Sequence, residues 1–269
     1  MMLRMRAVSL AFVLGMGALV AWGADDPSPA QIDDIIQKFA AKEAEFQQAR
    51  DNYTYTQTSR IQELDEGGAV TGRWEITADI TYDENHKRLE HVTKSPVPSL
   101  HNLILTPEDM EDLRSTQPFV LTTKDLPKYL VRYLGRETLD EIGCYVFAVK
   151  PKKMEQGQRY FSGQVWVDDR DLQIVKTYGR GVGVIKKNSD NQFPKFETYR
   201  EQIDGKYWFP TYTIANDTLH FKDLDQRIRQ TVRYEQYKQF KAETKIIFGD
   251  AVEDSKPQTP PTPPAPNKK

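Results

Sequence analysis

Residues 160–183 run Tyr-Phe-Ser-Gly-Gln-Val-Trp-Val-Asp-Asp-Arg-Asp-Leu-Gln-Ile-Val-Lys-Thr-Tyr-Gly-Arg-Gly-Val-Gly. Two stretches rich in aromatic and β-branched residues flank the polar Asp168–Asp171 turn, a pattern that predicts a β-hairpin. With Asp169-Arg170 as a two-residue loop, Val167 opposes Leu172, Val165 opposes Ile174 and Phe161 opposes Tyr178. One face is then apolar, except where Gly163 meets Lys176, and Ser162, Gln164, Trp166, Gln173, Val175 and Thr177 make a mixed second face. Such a hairpin is unstable with its apolar face in water, so the rest of the chain must supply a cover.

The same period of two recurs along the chain. Tyr53 and Tyr55 open a run that ends at Leu64; Asp65-Glu66-Gly67-Gly68 supplies a turn, and Trp74, Ile76, Ala78, Ile80 and Tyr82 alternate on the way back. A four-residue loop pairs Tyr53 with Ile80, Tyr55 with Ala78, Gln57 with Ile76 and Ser59 with Trp74, leaving Arg60, Arg73, Glu75, Thr77 and Asp79 on the far side. Further strands are expected at about 86–94, 129–138 and 144–150, the last apolar on both sides and therefore central. Asp204-Gly205 marks another hairpin between 196–203 and 206–215, and a final strand covers about 226–240. Strands joined in chain order by short turns form a meander, and a long meander curls into a barrel or half-barrel.

The cover comes from residues 31–50. Ile32, Ile35, Ile36, Phe39, Glu43 and Phe46 recur at helical spacing, all but Glu43 apolar, and Ser28-Pro29 supplies a cap with proline at the first helical position. This stripe either seals the sheet or acts as a movable lid. Residues 95–128 break the strand pattern with Pro96, Pro98, Pro107, Pro118 and Pro127, and 107–113 reads as a short helix with acidic residues in its first turn. An insertion of that length either closes one end of a sheet or carries function.

Both termini differ in kind from this body. Arg4 and Arg6, the apolar run 7–22 and the small residues Ala21 and Gly23 follow the order of a secretory signal peptide, cleaved after Gly23. The apolar run is short for the roughly 20 residues of a spanning helix, and no cysteine follows it to be lipidated. The expected divisions are a signal peptide at 1–23, one open β-barrel domain at 24–250 and a proline-rich tail at 251–269, extended and without a core. The product is expected in the periplasm, free of the membrane, in keeping with a mean hydropathy of −0.67.

Composition excludes several classes of function. A formal net charge of −2 argues against a nucleic-acid partner. Cys144 is the single cysteine, so the chain cannot form an internal disulfide; in its apolar run it reads as a small buried hydrophobe. His86, His91, His101 and His220 show no metal-site spacing, and no metal or cofactor is expected. There is no Gly-x-Ser-x-Gly elbow. Gly179-Arg180-Gly181-Val182-Gly183 lacks the Gly-Lys-Ser/Thr ending of a phosphate loop and reads as strand glycines. Asp168, Asp169 and Asp171 lack the glycine and distal glutamate of a calcium loop. No nucleophile stands with a base in sequence, which favours binding over catalysis; a cleft with two close carboxylates would revive an enzyme.

Phe161-x-Gly163-x-Val165-Trp166-Val167-Asp168 followed by Leu172-x-Ile174-Val175-Lys176 resembles the central hairpin of the bacterial outer-membrane lipoprotein-sorting (LolA/LolB-like) superfamily. Gly205-Lys206-Tyr207-Trp208-Phe209-Pro210 is similar to its later strand, and the resemblance spans about residues 30–240. It implies a mainly β fold: an open barrel with an amino-terminal helix packed on its concave face, carrying acyl chains of lipids or lipidated proteins through an aqueous compartment. The insertion at 95–128 and the proline-rich tail depart from the simple carriers, and no one residue matches the carriers' functional arginine.

The leading expectation is therefore a monomeric carrier for a lipid, an acyl chain or a lipoprotein. The alternative is an envelope sensor of the same fold that binds a membrane-protein regulator. The apolar-face candidates for ligand contact are Phe39, Tyr53, Tyr55, Trp74, Ile76, Phe161, Val165 and Ile174.

Overall fold

The computed structural model describes residues 26–184 and 192–239. The expected signal peptide and proline-rich tail lie outside the described residues. The chain enters through α1 (Pro29–Arg50), whose Ser28 cap accepts from the Gln31 amide while the Gln31 side chain accepts from the Ser28 amide. That capping box and the proline at the first turn start the helix where the sequence places it.

Next come β1 (Tyr53–Leu64), β2 (Val70–Tyr82) and β3 (Arg88–Lys94). The 95–128 segment follows and contains α2 (Pro107–Glu111), a π-helical turn at Asp112–Thr116 and a 3₁₀ turn at Leu126–Lys128. The chain then runs through β4 (Tyr129–Leu139), β5 (Ile142–Pro151), β6 (Arg159–Asp168), β7 (Ile174–Gly183), β8 (Phe196–Gln202), β9 (Trp208–His220) and β10 (Asp225–Gln239). All ten strands form one open antiparallel sheet with α1 on its concave face, the expected fold class.

The order of strands is not that of a plain meander. It is β3-β2-β1-β10-β9-β8-β7-β6-β5-β4, so the first and last strands pair and the two strands flanking the insertion form the edges. The physical reason is the 95–128 segment, which carries the chain across the inner face from one edge to the other. β5 is accordingly next to an edge rather than central. Its own side chains are nevertheless buried on both faces, Phe147 and Val149 in the inner cluster and Cys144 and Val146 in an outer one with Trp166 and Val175. Burial there pushes the Cys144 thiol up to about 12, which keeps it protonated and poorly nucleophilic.

Three registers differ from the sequence reading. In β1–β2, Tyr55 opposes Ile80, Gln57 opposes Ala78, Ser59 opposes Ile76 and Ile61 opposes Trp74, because a bulge after Glu63 and a five-residue turn displace the pairing. The displacement is two residues, an even number, so every side chain keeps its face. In β6–β7 the loop is longer than Asp169-Arg170: the Asp168 amide donates to the Gln173 carbonyl, Leu172 takes a φ of +51°, and Val167 opposes Ile174.

A bulge after Ile174 then sets Val165 against Thr177 and Phe161 against Gly181, which moves Tyr178 to the outer face. There it is 37% exposed. Gly163 meets Gly179 instead of Lys176, and a Cβ on either would run into the other strand's backbone and the Phe161 ring. The β8–β9 loop is five residues, Gln202 opposing Trp208, since Tyr53 donates to Asp204 and Gln173 donates to the Lys206 carbonyl.

Candidate functional site

The inner face carries two covers. α1 lies on β5–β9, where Phe39, Ile35, Ile36 and Ala40 meet Phe147, Phe161, Val165 and Ile174 in one apolar cluster. Phe39 is fully buried with its ring 5.3 Å from Phe147, and Phe46 packs edge-on to Phe209 at 5.2 Å. The 95–128 segment covers β1, β2 and β10, where Leu113 and Met110 pack among Tyr55, Ala78, Ile80, Val232 and Tyr234, and its end joins the α1 cluster through Leu121 and Phe119, which stacks on Phe161.

Charges inside this apolar layer hold the insertion down. Glu63, fully buried on β1, accepts from the amides of His101, Asn102 and Leu103 at 2.7–3.1 Å. Gly72 opposite has no room for a Cβ, which would overlap the Glu63 carboxylate. Asp112 is gripped by Arg159 through Nε at 2.8 Å and Nη2 at 2.5 Å. Gly181 provides the space for that carboxylate, since a Cβ there would overlap it. Burial pushes the Asp112 carboxyl up, with the Arg159 contact opposing.

The two covers meet at Glu43 and Arg200, which are 0% and 4% exposed. Both Glu43 oxygens accept from Arg200 Nη1 at 3.1 Å, and Oε1 also accepts from the Ile174 amide at 3.0 Å. Arg200 Nη2 donates to the Phe119 carbonyl of the insertion, and its guanidinium lies 5.0 Å from the Phe46 ring centroid. Helix, sheet and insertion are thus joined at one ion pair. Burial raises the Glu43 carboxyl above the usual carboxylate range despite Arg200 beside it.

Between the insertion and the sheet remains a cavity of about 340 Å³, at the small end of the roughly 300–1,000 Å³ range of ligand sites. Ile61, Phe196, Leu219 and Ile228 form its sheet wall, and Leu103, Ile104 and Leu105 face them from the insertion. Phe193, Pro194 and Phe221 also line it. Ile104 is 89% exposed, an apolar side chain held in water beside the cavity. Gln117 and Gln230 line it as well, and Gln117 Oε1 and Gln230 Nε2 are buried without a hydrogen-bond partner.

The cavity also holds two carboxylates, but both are engaged: Asp112 by Arg159, and Asp109 by the amide and hydroxyl of Thr106 as part of the α2 capping box. Neither stands with a nucleophile.

The sequence-derived contact residues fall elsewhere. Phe39, Phe161, Val165 and Ile174 belong to the cluster under α1, and Tyr53 packs with Phe46 and Phe209. Tyr55 and Trp74 pack under the insertion, and Ile76 borders a void of only about 20 Å³. They share the inner face as expected, yet none of them lines the 340 Å³ cavity. Sequence reasoning passed over Glu63 and Arg200 and gave Glu43, the exception in the helical stripe, no role; their signal was a charge at an inward-facing position of an otherwise apolar pattern.

Among the described residues no helix is long and apolar enough to cross a membrane, and no group of three or more His, Cys, Asp or Glu side chains is placed to hold a metal ion. No family model matches the sequence, and no curated protein matches it. Solved structures similar to it include a LolA-superfamily protein from Nitrosomonas europaea, 14% identical, covering 80% of this chain and 98% of that one with a TM-score of 0.36. A DUF1329-family protein from Desulfovibrio piger is also 14% identical, with coverage of 84% and 97% and a TM-score of 0.36. MucB is 12% identical, with coverage of 78% and 94% and a TM-score of 0.27. These are distant likenesses of fold, and no ligand or partner follows from them.

Proposed function

We propose that the chain binds an acyl chain, of a lipid or a lipidated protein, in the cavity between the insertion and β1/β10, and carries it through the periplasm without chemical change. The observation that carries this reading is the 340 Å³ apolar-walled cavity with Ile104 exposed beside it. An exposed isoleucine next to an apolar hollow offers an entering chain continuous apolar contact. Each methylene removed from water contributes about 0.8 kcal/mol, so half a dozen contribute roughly 5 kcal/mol before ordering costs. Catalysis is not part of the proposal, because the carboxylates at the cavity are held in structural bonds.

The test is titration of the purified mature chain with an environment-sensitive fatty-acid probe, alongside lipid extraction and native mass spectrometry. Wild type is expected to saturate at one site. Ile104→Asp changes an exposed residue, so it is expected to fold as wild type does and to weaken binding about tenfold, since a carboxylate there must be desolvated when the chain enters. Absence of saturable binding by the folded wild type defeats the carrier reading. The second reading, a protein-interaction module without transport, then moves ahead. It draws support from the solid packing under α1 and from edge strand β4, which leaves Leu130 47% and Leu134 38% exposed.

A further inference from the structure

A second cavity lies on the other side of the insertion. It measures about 580 Å³ and is bordered by the end of α1, by β1, β2 and β10, and by residues 111–120. It shares no lining residue with the apolar cavity. Its character is opposite: Arg50, Arg88 and Arg114 line it together with Tyr55, Tyr82 and Tyr237.

Most of the charge in it is already matched. Arg88 and Arg114 both donate to Glu90, Arg88 Nη2 donates to Gln57, and the Glu111 carboxylate accepts from Ser115 at 2.6 Å. Arg50 is matched most loosely. Its side chain is 18% exposed, and its Nε forms only a long ion pair with Asp51 Oδ1 at 3.8 Å, neither atom having a hydrogen-bond partner. That separation is beyond hydrogen-bond reach, and the other Asp51 oxygen is taken by His86 at 3.1 Å. The Arg50 guanidinium instead rests over the Tyr82 ring, 5.6 Å from its centroid. Arg88 Nε is a second buried donor without an acceptor.

A position in the last turn of α1 suits a cation, because the helix carbonyls point that way. Water would satisfy such an arginine at no loss, however, and this one has been drawn out of water into a cavity richer in donors than in acceptors. Burial also raises the Tyr82 hydroxyl well above its usual range, so it is a proton donor under ordinary conditions.

From this geometry we infer that the cavity is a binding site for a compact oxyanion, a carboxylate or phosphate group, anchored by the Arg50 guanidinium with the Arg88 Nε–H and the Tyr55 and Tyr82 hydroxyls as further donors; the Tyr237 hydroxyl is committed to the Pro210 carbonyl. A planar guanidinium meets either group with two parallel hydrogen bonds. This site is separate from the acyl cavity and does not depend on it.

The experiment is calorimetric titration of the mature chain with inorganic phosphate and, in a separate arm, with butyrate, each at low and physiological salt. One of the two is expected to bind saturably at a single site and to move the Arg50 Nε–H resonance. Arg50→Gln is expected to weaken that binding about tenfold, the scale of one lost charge-assisted contact. Arg50→Lys, which keeps the charge but not the fork, is expected to fall between.

Binding of the fatty-acid probe should be unchanged in both variants, which separates a failure here from a failure of the carrier reading. The proposal is overturned if neither anion binds the wild type up to about 10 mM, or if Arg50→Gln binds within twofold of wild type. If Arg50→Gln does not fold, the wild-type spectrum decides: an Arg50 Nε–H resonance that stays in place at saturating anion rejects the site.

Discussion

Helix α1 and the 95–128 segment lie on the same face of one sheet, yet α1 seals its half and the insertion leaves room in the other. Under α1, Phe39, Phe147, Phe161, Val165 and Ile174 are all within 1% of full burial. The cavities of about 340 and 580 Å³ both border the insertion.

The difference follows from the backbone. A helix satisfies its own amides and can offer a continuous ridge of Ile35, Ile36, Phe39 and Phe46 to the sheet. An irregular segment must find partners for its amides and carbonyls one at a time. Here they are found at Glu63, Thr198 and Arg200. A segment fixed at separate polar points spans the sheet between them instead of filling it. Continuous packing and hollow space are thus consequences of two ways of satisfying the main chain.

The comparison is broken most severely where the covers join. Arg200→Ala leaves the Glu43 carboxylate buried without its partner and releases the Phe119 carbonyl. It is expected to destabilise the fold by about 3–5 kcal/mol, as does removal of one member of a buried pair elsewhere. The double variant Glu43→Leu/Arg200→Met is expected to recover most of that loss, because no unpaired charge remains. Urea unfolding of the two variants checks both halves of the statement. A double variant as unstable as Arg200→Ala would show that the Phe119 contact, rather than the ion pair, holds the covers together.

A smaller effect sharpens the contrast in packing. Phe39→Ala opens a hole in the sealed half and is expected to lower stability by about 3–4 kcal/mol, while Leu113→Ala, beside the existing void under the insertion, is expected to lower it by about 2–3. Fatty-acid binding should be unchanged by Phe39→Ala, since that side chain lies outside the cavity wall. Tighter binding in Phe39→Ala would place the acyl chain under α1 and make the helix the movable cover.

Periodicity revealed the strands, the helix and the shared inner face, because alternation survives any even shift of register. Tyr55 and Trp74 kept their side although each changed partner by two residues. Tyr178 did not, since the bulge after Ile174 inserts a single residue, and no pattern in the sequence announces a bulge. The order of strands was also hidden. Pairing of β1 with β10 depends on where 34 irregular residues take the chain (positions 95–128), and proline content shows only that they are not strand.

The site was half legible. Glu63 and Arg200 occupy inward positions by simple parity with Ile61 and Thr198, and Glu43 stands in the helical stripe. What parity cannot show is which charge finds which partner across 157 residues, as Glu43 and Arg200 do.

The smallest expected effect sets two paired carboxylates against each other. Glu75, on the outer side of β2, accepts from Arg60 Nε at 2.7 Å and Lys94 Nζ at 2.9 Å. Hydrogen bonds from Lys94 and then Arg60 hold its carboxyl below the usual range. A lowered folded-state value means that the pair stabilises the fold above the unfolded value near 4.5 and that this contribution fades as pH falls through the folded value. The partners are largely in solvent, so the contribution is about 1 kcal/mol or less.

Glu43 runs the other way. Burial raises its folded value, so its contribution is complete below the unfolded value near 4.5 and is lost as pH rises through the folded value. Unfolding free energies measured from pH 7 down to pH 3 for wild type, Glu75→Gln and Glu43→Gln should therefore diverge in sign. The deficit of Glu75→Gln shrinks toward zero in acid, whereas that of Glu43→Gln grows. Parallel curves for the two variants would mean that Glu43 is held ionised as firmly as Glu75, and that Arg200 outweighs the burial of its partner.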